Sequence, residues 1–254
     1  YGQHIKISME LAEIHISNYY ITWGWKDNQY KKKAKLLNLP ECGLSNYFNS
    51  YDLKNVNDKI IIVNSSIPKE VIRFYSVPDF YLNYKNYLKY KDKFLSNLDK
   101  TILKKLIYRP YMQKYQWEKE EKLILDKYKE ISIDNKVGLR ELLKNVKLYI
   151  CDHMSTSFME SLVIGTPTIL FWSQNAFDER EDAKPAFDLL RKSGVLFHSP
   201  EEAANKVNEI CDNVLEWWNE PIRQKARLEF LKMQCNVDKN WKEIWIKELN
   251  DKLH

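Results

Sequence analysis

Short β-branched runs alternate along the chain with longer stretches in which apolar residues recur at helical spacing. "IIIV" at 60–63 breaks into "NSSIPKE", which reads as a buried strand followed by a loop holding Ser65 and Ser66. Residues 81–102 carry Tyr84, Tyr87, Leu88, Phe94, Leu95 and Leu98 along one side, which predicts a single long amphipathic helix. "KKLIYRPY" predicts a strand over 105–109 stopped by Pro110, "EKEEKLILDKYK" a polar-sided helix, "EISID" a short apolar segment at 130–134, and "LRELLKNV" a further helix. "KLYICD" is the next strand, and "STSFMESLVIG" is a helix with Ser155 or Thr156 as its N-cap and Gly165 just past its end. "TPTILFW" and a short piece near 195–197 follow as strands. "PEEAANKVNEICD" opens with a proline and two acids, a good helix start, and Val214 to Leu253 reads as almost wholly helical.

Alternation at this spacing argues for βαβ units, and so for an α/β fold: a Rossmann-like parallel sheet flanked by helices, with right-handed crossovers. Three parts are expected. Residues 1–55, including the strand-like "YYITWGW", read as the end of an upstream domain and a linker, 56–213 as the α/β domain, and 214–254 as C-terminal helices. By analogy with similar helices that cross back, Trp217, Trp218, Trp241 and Trp245 are expected to pack on an absent N-terminal domain. The opening Tyr1-Gly2-Gln3, without methionine, fits a polypeptide that continues upstream, and a site shared with that part would be half present here.

Composition narrows the class. A 254-residue chain with 44% hydrophobic and 13% aromatic residues can bury a core, and no apolar run approaches the ~18 residues of a membrane span. No signal peptide is visible. The net charge of +5 is spread over lysines that alternate with acids, so nucleic acid is not implied, while an anionic ligand or peripheral association with an acidic membrane face would suit it. Cys42, Cys151, Cys211 and Cys235 are far apart and form no zinc spacing, which reads as reduced thiols in a cytoplasmic protein, with Cys151 as packing. "DEREDAK" at 178–184 reads as surface.

Six glycines are too few and too scattered for a G-x-G-x-x-G or Walker A loop, and there is no G-x-S-x-G elbow, H-E-x-x-H, EF-hand or D-x-D pair. No metal or cofactor is expected. What remains is "YICDHMSTSFMESL", a strand-to-helix junction of the kind where ligands gather in an open parallel sheet. Backbone N–H groups of a first helical turn and the helix dipole favour an anion, and Ser155, Thr156 and Ser157 add hydroxyls, although for this stretch standing alone simple N-capping is the favoured account. Glu160, one turn on, fits either ribose hydroxyls or a capping box with Ser157. Arg109, at the end of an earlier strand, falls on the same edge with Tyr111, and a guanidinium there can grip a phosphate. Ser65 and Ser66 share that edge as weaker candidates, and His153 joins them, although a lone histidine at a strand end is more often packed or exposed. Trp117 and Trp172 more often fill a core than stack on a base.

Taken in order, "YG" at 1–2, "TWGWK" at 22–26, "YRPY" with Trp117, and "STSFMESL" with "GTPTILFW" resemble the donor half of GT-B glycosyltransferases, closest to the LIC12162-type family of bacterial surface-carbohydrate transferases. The resemblance implies the C-terminal half of a GT-B fold and transfer of a sugar from a nucleotide-sugar donor, itself the substrate, to a carbohydrate acceptor. It implies donor contacts from Ser155, Thr156, Ser157 and Glu160, with Arg109 as the catalytic residue that neutralises phosphate as the sugar leaves. Bacterial sialyltransferases of this fold use a comparable serine/threonine pair, which brings in a CMP-linked nonulosonic acid, but Arg109-Pro110 stands where they carry His-Pro. Such enzymes hold acceptor and general base on an N-terminal domain, so this chain would bind nucleotide and transfer poorly. Two other readings stay open: a CDP-polyol phosphotransferase of the same fold, and a non-catalytic nucleotide-sugar binding module.

Overall fold

The computed structural model describes residues 8–25, 34–65, 80–111, 120–134, 136–173, 177 and 179–253. Helix α1 (Ser8–Ile16) precedes a small parallel pair, β1 (Tyr19–Thr22) and β2 (Lys35–Asn38), and the short helix α2 (Cys42–Ser45). The main sheet is built from β3 (Ile60–Val63), β4 (Leu106–Arg109), β5 (Ser132–Ile133), β6 (Leu148–Cys151), β7 (Thr168–Phe171) and β8 (Leu196–Phe197). Its spatial order is β5-β4-β3-β6-β7-β8, and every neighbour pair is parallel. All residues of β3, β4, β6 and β7 are buried, as near-continuous apolar strands covered on both faces must be. The chain starts at β3, builds outward to β5, returns to lay β6 beside β3, and builds the other way. The boundary between β3 and β6 is therefore the topological switch point.

Helices α3 (Phe80–Ser96), α4 (Lys100–Leu103), α5 (Glu120–Lys127), α6 (Leu139–Leu143), α7 (Thr156–Ile164), α8 (Lys184–Lys192) and α9 (Pro200–Ile210) connect the strands, and α10 (Val214–Asn219), α11 (Pro221–Gln234) and α12 (Trp241–Leu253) complete the chain. Phe171 and Trp172 are consecutive at the end of β7 and face opposite ways. Phe171 stacks on Phe94 of α3 at 4.4 Å, while Trp172 meets Phe158 of α7 and Phe187 of α8, which in turn meets Phe230 of α11. Two aromatic contacts thus mark the two faces of one sheet.

Several expectations change. The helix expected over 81–102 is broken: Ser96 Oγ and the Asn97 amide both donate to the Lys93 carbonyl, closing α3, and α4 restarts after Asp99. The acid run is only partly solvated surface, with Glu181 exposed. Glu179 pairs with Arg191, and Arg180 pairs with Glu10 and Asp182, with Glu179 and Arg180 both buried, because α1 and α8 close over the segment; Asp178 lies outside the described residues.

Trp217 and Trp218 pack within the chain instead of awaiting another domain. Trp217 and Trp218 are buried, Trp218 donating to the Gly165 carbonyl at 2.8 Å, and Trp241 and Trp245 donate to Asn46 and to the Pro40 carbonyl. The "WGW" segment docks on the same helices. The Asn236 N–H donates to the Trp23 carbonyl at 2.6 Å, the Arg180 guanidinium lies 4.9 Å from the centre of the Trp25 ring, and Gly24, at φ +116°, sits so close to α11 that a Cβ would collide with the Lys232 carbonyl oxygen. All four cysteines are free. Among the described residues no helix is long and apolar enough to cross a membrane.

Candidate functional site

Helix α7 is buried along its length except at Glu160 and at its first turn, where residues 154–157 are half-exposed. Ser155 is the N-cap, extended at φ −147° and ψ 177°, and its Oγ accepts the Ser157 N–H at 3.3 Å. The same Oγ lies 2.7 Å from Ser157 Oγ, which also accepts the Tyr149 hydroxyl at 2.8 Å. Two of the three candidate hydroxyls are therefore engaged in shaping the turn, and the Thr156 hydroxyl takes no hydrogen bond among the described residues. At the other end Gly165 adopts φ +92° and its N–H donates to the Ser161 carbonyl, while Arg227 of α11 donates to the Leu162 carbonyl at 2.7 Å. The C-terminal helices thus satisfy the carbonyl end of α7, and its positive end stands at the carboxyl edge of the sheet.

Arg109 closes β4 in register with Val63, and Val63 is in register with Cys151. Residues in register on neighbouring parallel strands point to one face, so Arg109 shares the face of Cys151 and Tyr149, which is the face α7 covers. Two strand spacings, about 10 Å, separate the Arg109 and Cys151 backbones. Arg109 is 9% exposed, and among the described residues its Nη1 has no hydrogen-bond partner. Burial lowers the pKa of the guanidinium and the Asp134 carboxylate opposes that shift. A guanidinium remains charged at neutral pH in either case.

Of the remaining candidates, Ser65 follows β3 on this edge, its N–H donating to the Tyr87 hydroxyl at 3.2 Å. Tyr111 lies beyond Pro110 and is 45% exposed. Ser66 and Trp117 lie outside the described residues, and Trp172 is core. Glu160 is not a capping-box partner: Arg140 donates to its Oε1 through Nε at 3.1 Å and Nη2 at 2.9 Å. With Ser155 as N-cap, the capping-box position is Phe158, so Glu160 sits two residues too far along and turns toward α6.

Sequence reasoning missed what lies beneath the edge. Lys91 of α3 is 0% exposed, its Nζ 3.3 Å from Asp152 Oδ2 and 2.9 Å from the Tyr87 hydroxyl, and it lies over the Tyr87 and Tyr108 rings. The Tyr87 hydroxyl proton is placed between Asn64 Oδ1 at 2.7 Å and Asp152 Oδ1 at 3.0 Å. His153 Nδ1 is 3.0 Å from Asp152 Oδ1 and 3.5 Å from Cys151 Sγ. Burial raises the pKa of Asp152, but the charge of Lys91 and the His153 contact bring it below the ordinary value. Burial works against a charged His153 ring, yet the Cys151 sulfur and the bond to Asp152 outweigh it and raise the imidazole to about 10. Burial likewise raises the Cys151 thiol, and the facing imidazole brings it below the ordinary value. A guanidinium, a helix N-terminus and an imidazole at this edge are groups of the kind that hold an anion.

A cavity of about 650 Å³ opens at the opposite, amino edge, lined by Lys59, Lys104, Lys105, Ser132, Asp134 and Lys136 among others. Two lysines at this edge, Lys105 and Lys147, are already paired with Asp58.

Among solved structures, the chain is similar to the spinosyn forosaminyltransferase SpnP, at 11% identity and a TM-score of 0.39 over 78% of this chain and 45% of that one. It is similar to a glycotransferase of kitacinnamycin, at 15% identity and a TM-score of 0.37 over 72% and 42% of the two chains. It is similar also to the T291V form of Os79 from O. sativa, solved in complex with UDP, at 16% identity and a TM-score of 0.41 over 84% and 49%. The chain spans somewhat under half the length of these proteins. No curated protein matches it. The model of the LIC12162 family of transferases matches residues 1–249, and the chain belongs to that family.

Proposed function

We propose that this transferase is a glycosyltransferase of GT-B type whose α/β part, residues 56–213, binds the nucleotide-activated sugar donor. The observation that supports this most is Arg109: a buried guanidinium, its Nη1 without a partner among the described residues, on the same edge and face as the half-exposed first turn of α7. Donor phosphate rests on the backbone N–H groups of that turn and on the Thr156 hydroxyl, and Arg109 reaches it from β4. As the bond from sugar to phosphate breaks, negative charge builds on the departing phosphate, and fixed positive groups stabilise that charge more than the ground state. Ser155 and Ser157 shape the turn, and Glu160 stays with Arg140. Residues 214–254 brace the far end of α7, and residues 1–55 belong to the edge of an upstream domain that supplies acceptor and general base.

In the fuller version of this reading the donor is a cytidine nucleotide such as a CMP-nonulosonic acid, the acceptor is a bacterial surface carbohydrate, and transfer takes place in the cytoplasm. Thermal unfolding with CMP, CDP and UDP tests the core of the proposal. A nucleotide at one hundred times its Kd stabilises by about 2.7 kcal/mol. Protection that shrinks in Arg109→Ala and Thr156→Val supports the reading and ranks the bases, whereas identical melting with every nucleotide overturns it.

A further inference from the structure

Three charged side chains from two elements lie in a row beneath the carboxyl edge: Lys91 on α3, then Asp152 and His153 just past β6, none more than 4% exposed. Lys91 Nζ to Asp152 Oδ2 is 3.3 Å, and Asp152 Oδ1 to His153 Nδ1 is 3.0 Å. With a neutral ring, the carboxylate and ammonium cancel and the row carries no net charge. With a protonated ring it carries one positive charge, and the carboxylate has a cation on either side. The ring lies against Cys151 Sγ, which in turn lies 4.0 Å from Ser157 Oγ in the first turn of α7. The row therefore ends at the turn on which the proposed phosphate rests.

We infer that Lys91 and Asp152 are positioning residues that hold His153 as a fixed cation behind the first turn of α7, giving the switch point a second positive side chain besides Arg109 for a nucleotide phosphate. The inference rests on the donor-phosphate reading above. The carboxylate fixes which nitrogen of the ring carries the inner proton and favours the charged form, as a carboxylate does for a histidine at a metal or catalytic centre. Lys91 keeps Asp152 ionised and locates it, with the Tyr87 hydroxyl and Asn64 completing its shell. Among the described residues, the other ionisable groups facing this row are Cys151 at the end of β6, against the ring, and Tyr149, which donates to Ser157 behind Cys151. From α3, Lys91 and Tyr87 contact Asp152, and the first turn of α7 meets Cys151 through the Ser157 hydroxyl. A cation set in a buried row differs from a surface lysine in that salt screens it poorly.

The test reads ring charge and nucleotide binding on the same 254-residue chain. Histidine labelled with nitrogen-15 gives the protonation state of His153 directly, with His153→Gln assigning the signal. The inference expects an imidazolium at pH 8 in the wild type and, in Asp152→Asn, a ring that loses its proton at a lower pH than the wild-type ring does. Calorimetry with CMP and UDP then gives the ratio of wild-type to Asp152→Asn affinity, in which the titration of the nucleotide itself cancels. The expected result is a ratio that grows about tenfold between pH 5.5 and 8, as the variant ring loses its charge. Lys91→Met provides a second variant with the same expected direction should Asp152→Asn fail to fold. A neutral wild-type ring at pH 8 overturns the inference and leaves the donor reading standing. A charged ring with an affinity ratio flat in pH overturns the electrostatic role, and a charged ring with no nucleotide binding at all overturns the donor reading on which it rests.

Discussion

Lys91 Nζ stands 3.3 Å from Asp152 Oδ2, the side chains 0% and 2% exposed, and Asp152 directly follows the carboxyl end of β6. Breaking a buried pair leaves the survivor charged and desolvated, at a cost of about 3–5 kcal/mol, whereas removing both charges together costs less. Chemical denaturation of Lys91→Met should show a loss of that size, and Lys91→Met combined with Asp152→Asn should recover part of it. The folded pKa of Asp152 lies below the ordinary 3.8, so its contribution is complete above that value and fades as the pH falls through the folded value. Asp152→Asn should accordingly flatten the acid limb of the stability curve.

His153 sets the opposite limb. Its folded pKa is raised from 6.5 to about 10, so its contribution is fully present below 6.5 and is lost as the pH rises toward 10. Melting temperature followed from pH 6 to pH 10 should decline, by roughly 2–4 °C for each kcal/mol lost. The same scan on His153→Gln should be flatter over that window; an equal decline in both proteins would place the alkaline loss elsewhere.

Arg227 separates bracing from binding. Its guanidinium donates to the Leu162 carbonyl at 2.7 Å, to Asn49 Oδ1 at 2.8 Å and to Gln224 Oε1 at 3.1 Å, tying α11 to the carbonyl end of α7. Arg227→Met leaves the buried Leu162 carbonyl without this donor and releases the Asn49 and Gln224 contacts, and about 1–3 kcal/mol of stability should go with them. Below the shifted melting point, nucleotide affinity should stay within about twofold of the wild type, a factor worth only some 0.4 kcal/mol.

Gly24→Ala tests the reading of "TWGWK" as a packing seam. The position combines φ +116° with direct contact to the α11 backbone, so a methyl group there meets both strain and a collision. A loss of more than about 2 kcal/mol is expected, with limited proteolysis cutting first in the segment that leaves α11.

How much of this was legible in the sequence depends on how local each cause is. "IIIV", "LYIC" and "TILF" are strands of a two-sided sheet because nothing in them tolerates water, and that alone set the α/β class. The Ser155 cap and the Gly165 stop are equally local. That Arg109 shares a face with Ser157 depends on two registers, Val63 with Arg109 and Val63 with Cys151, which no single stretch encodes. The pairing of Glu160 with Arg140 is likewise not local, because Arg140 arrives from another helix. Lys91 left a trace: it sits four residues after Tyr87 and three before Phe94, on the apolar stripe of α3, unlike Lys85, Lys89 and Lys93. A lysine in phase with a hydrophobic stripe is the signal that would have found it. The amphipathic pattern of α8 was likewise present, hidden behind an acid run that looked solvated and in fact closes buried ion pairs.

The most direct measurement is a crystal structure of the chain with CMP or UDP. The account predicts phosphate oxygens within hydrogen-bond distance of the first-turn N–H groups of α7 and of the Arg109 guanidinium, with Glu160 still held by Arg140. A nucleotide seated instead among Lys59, Lys104, Lys105 and Lys136 on the amino edge, with nothing bound at α7, would contradict it.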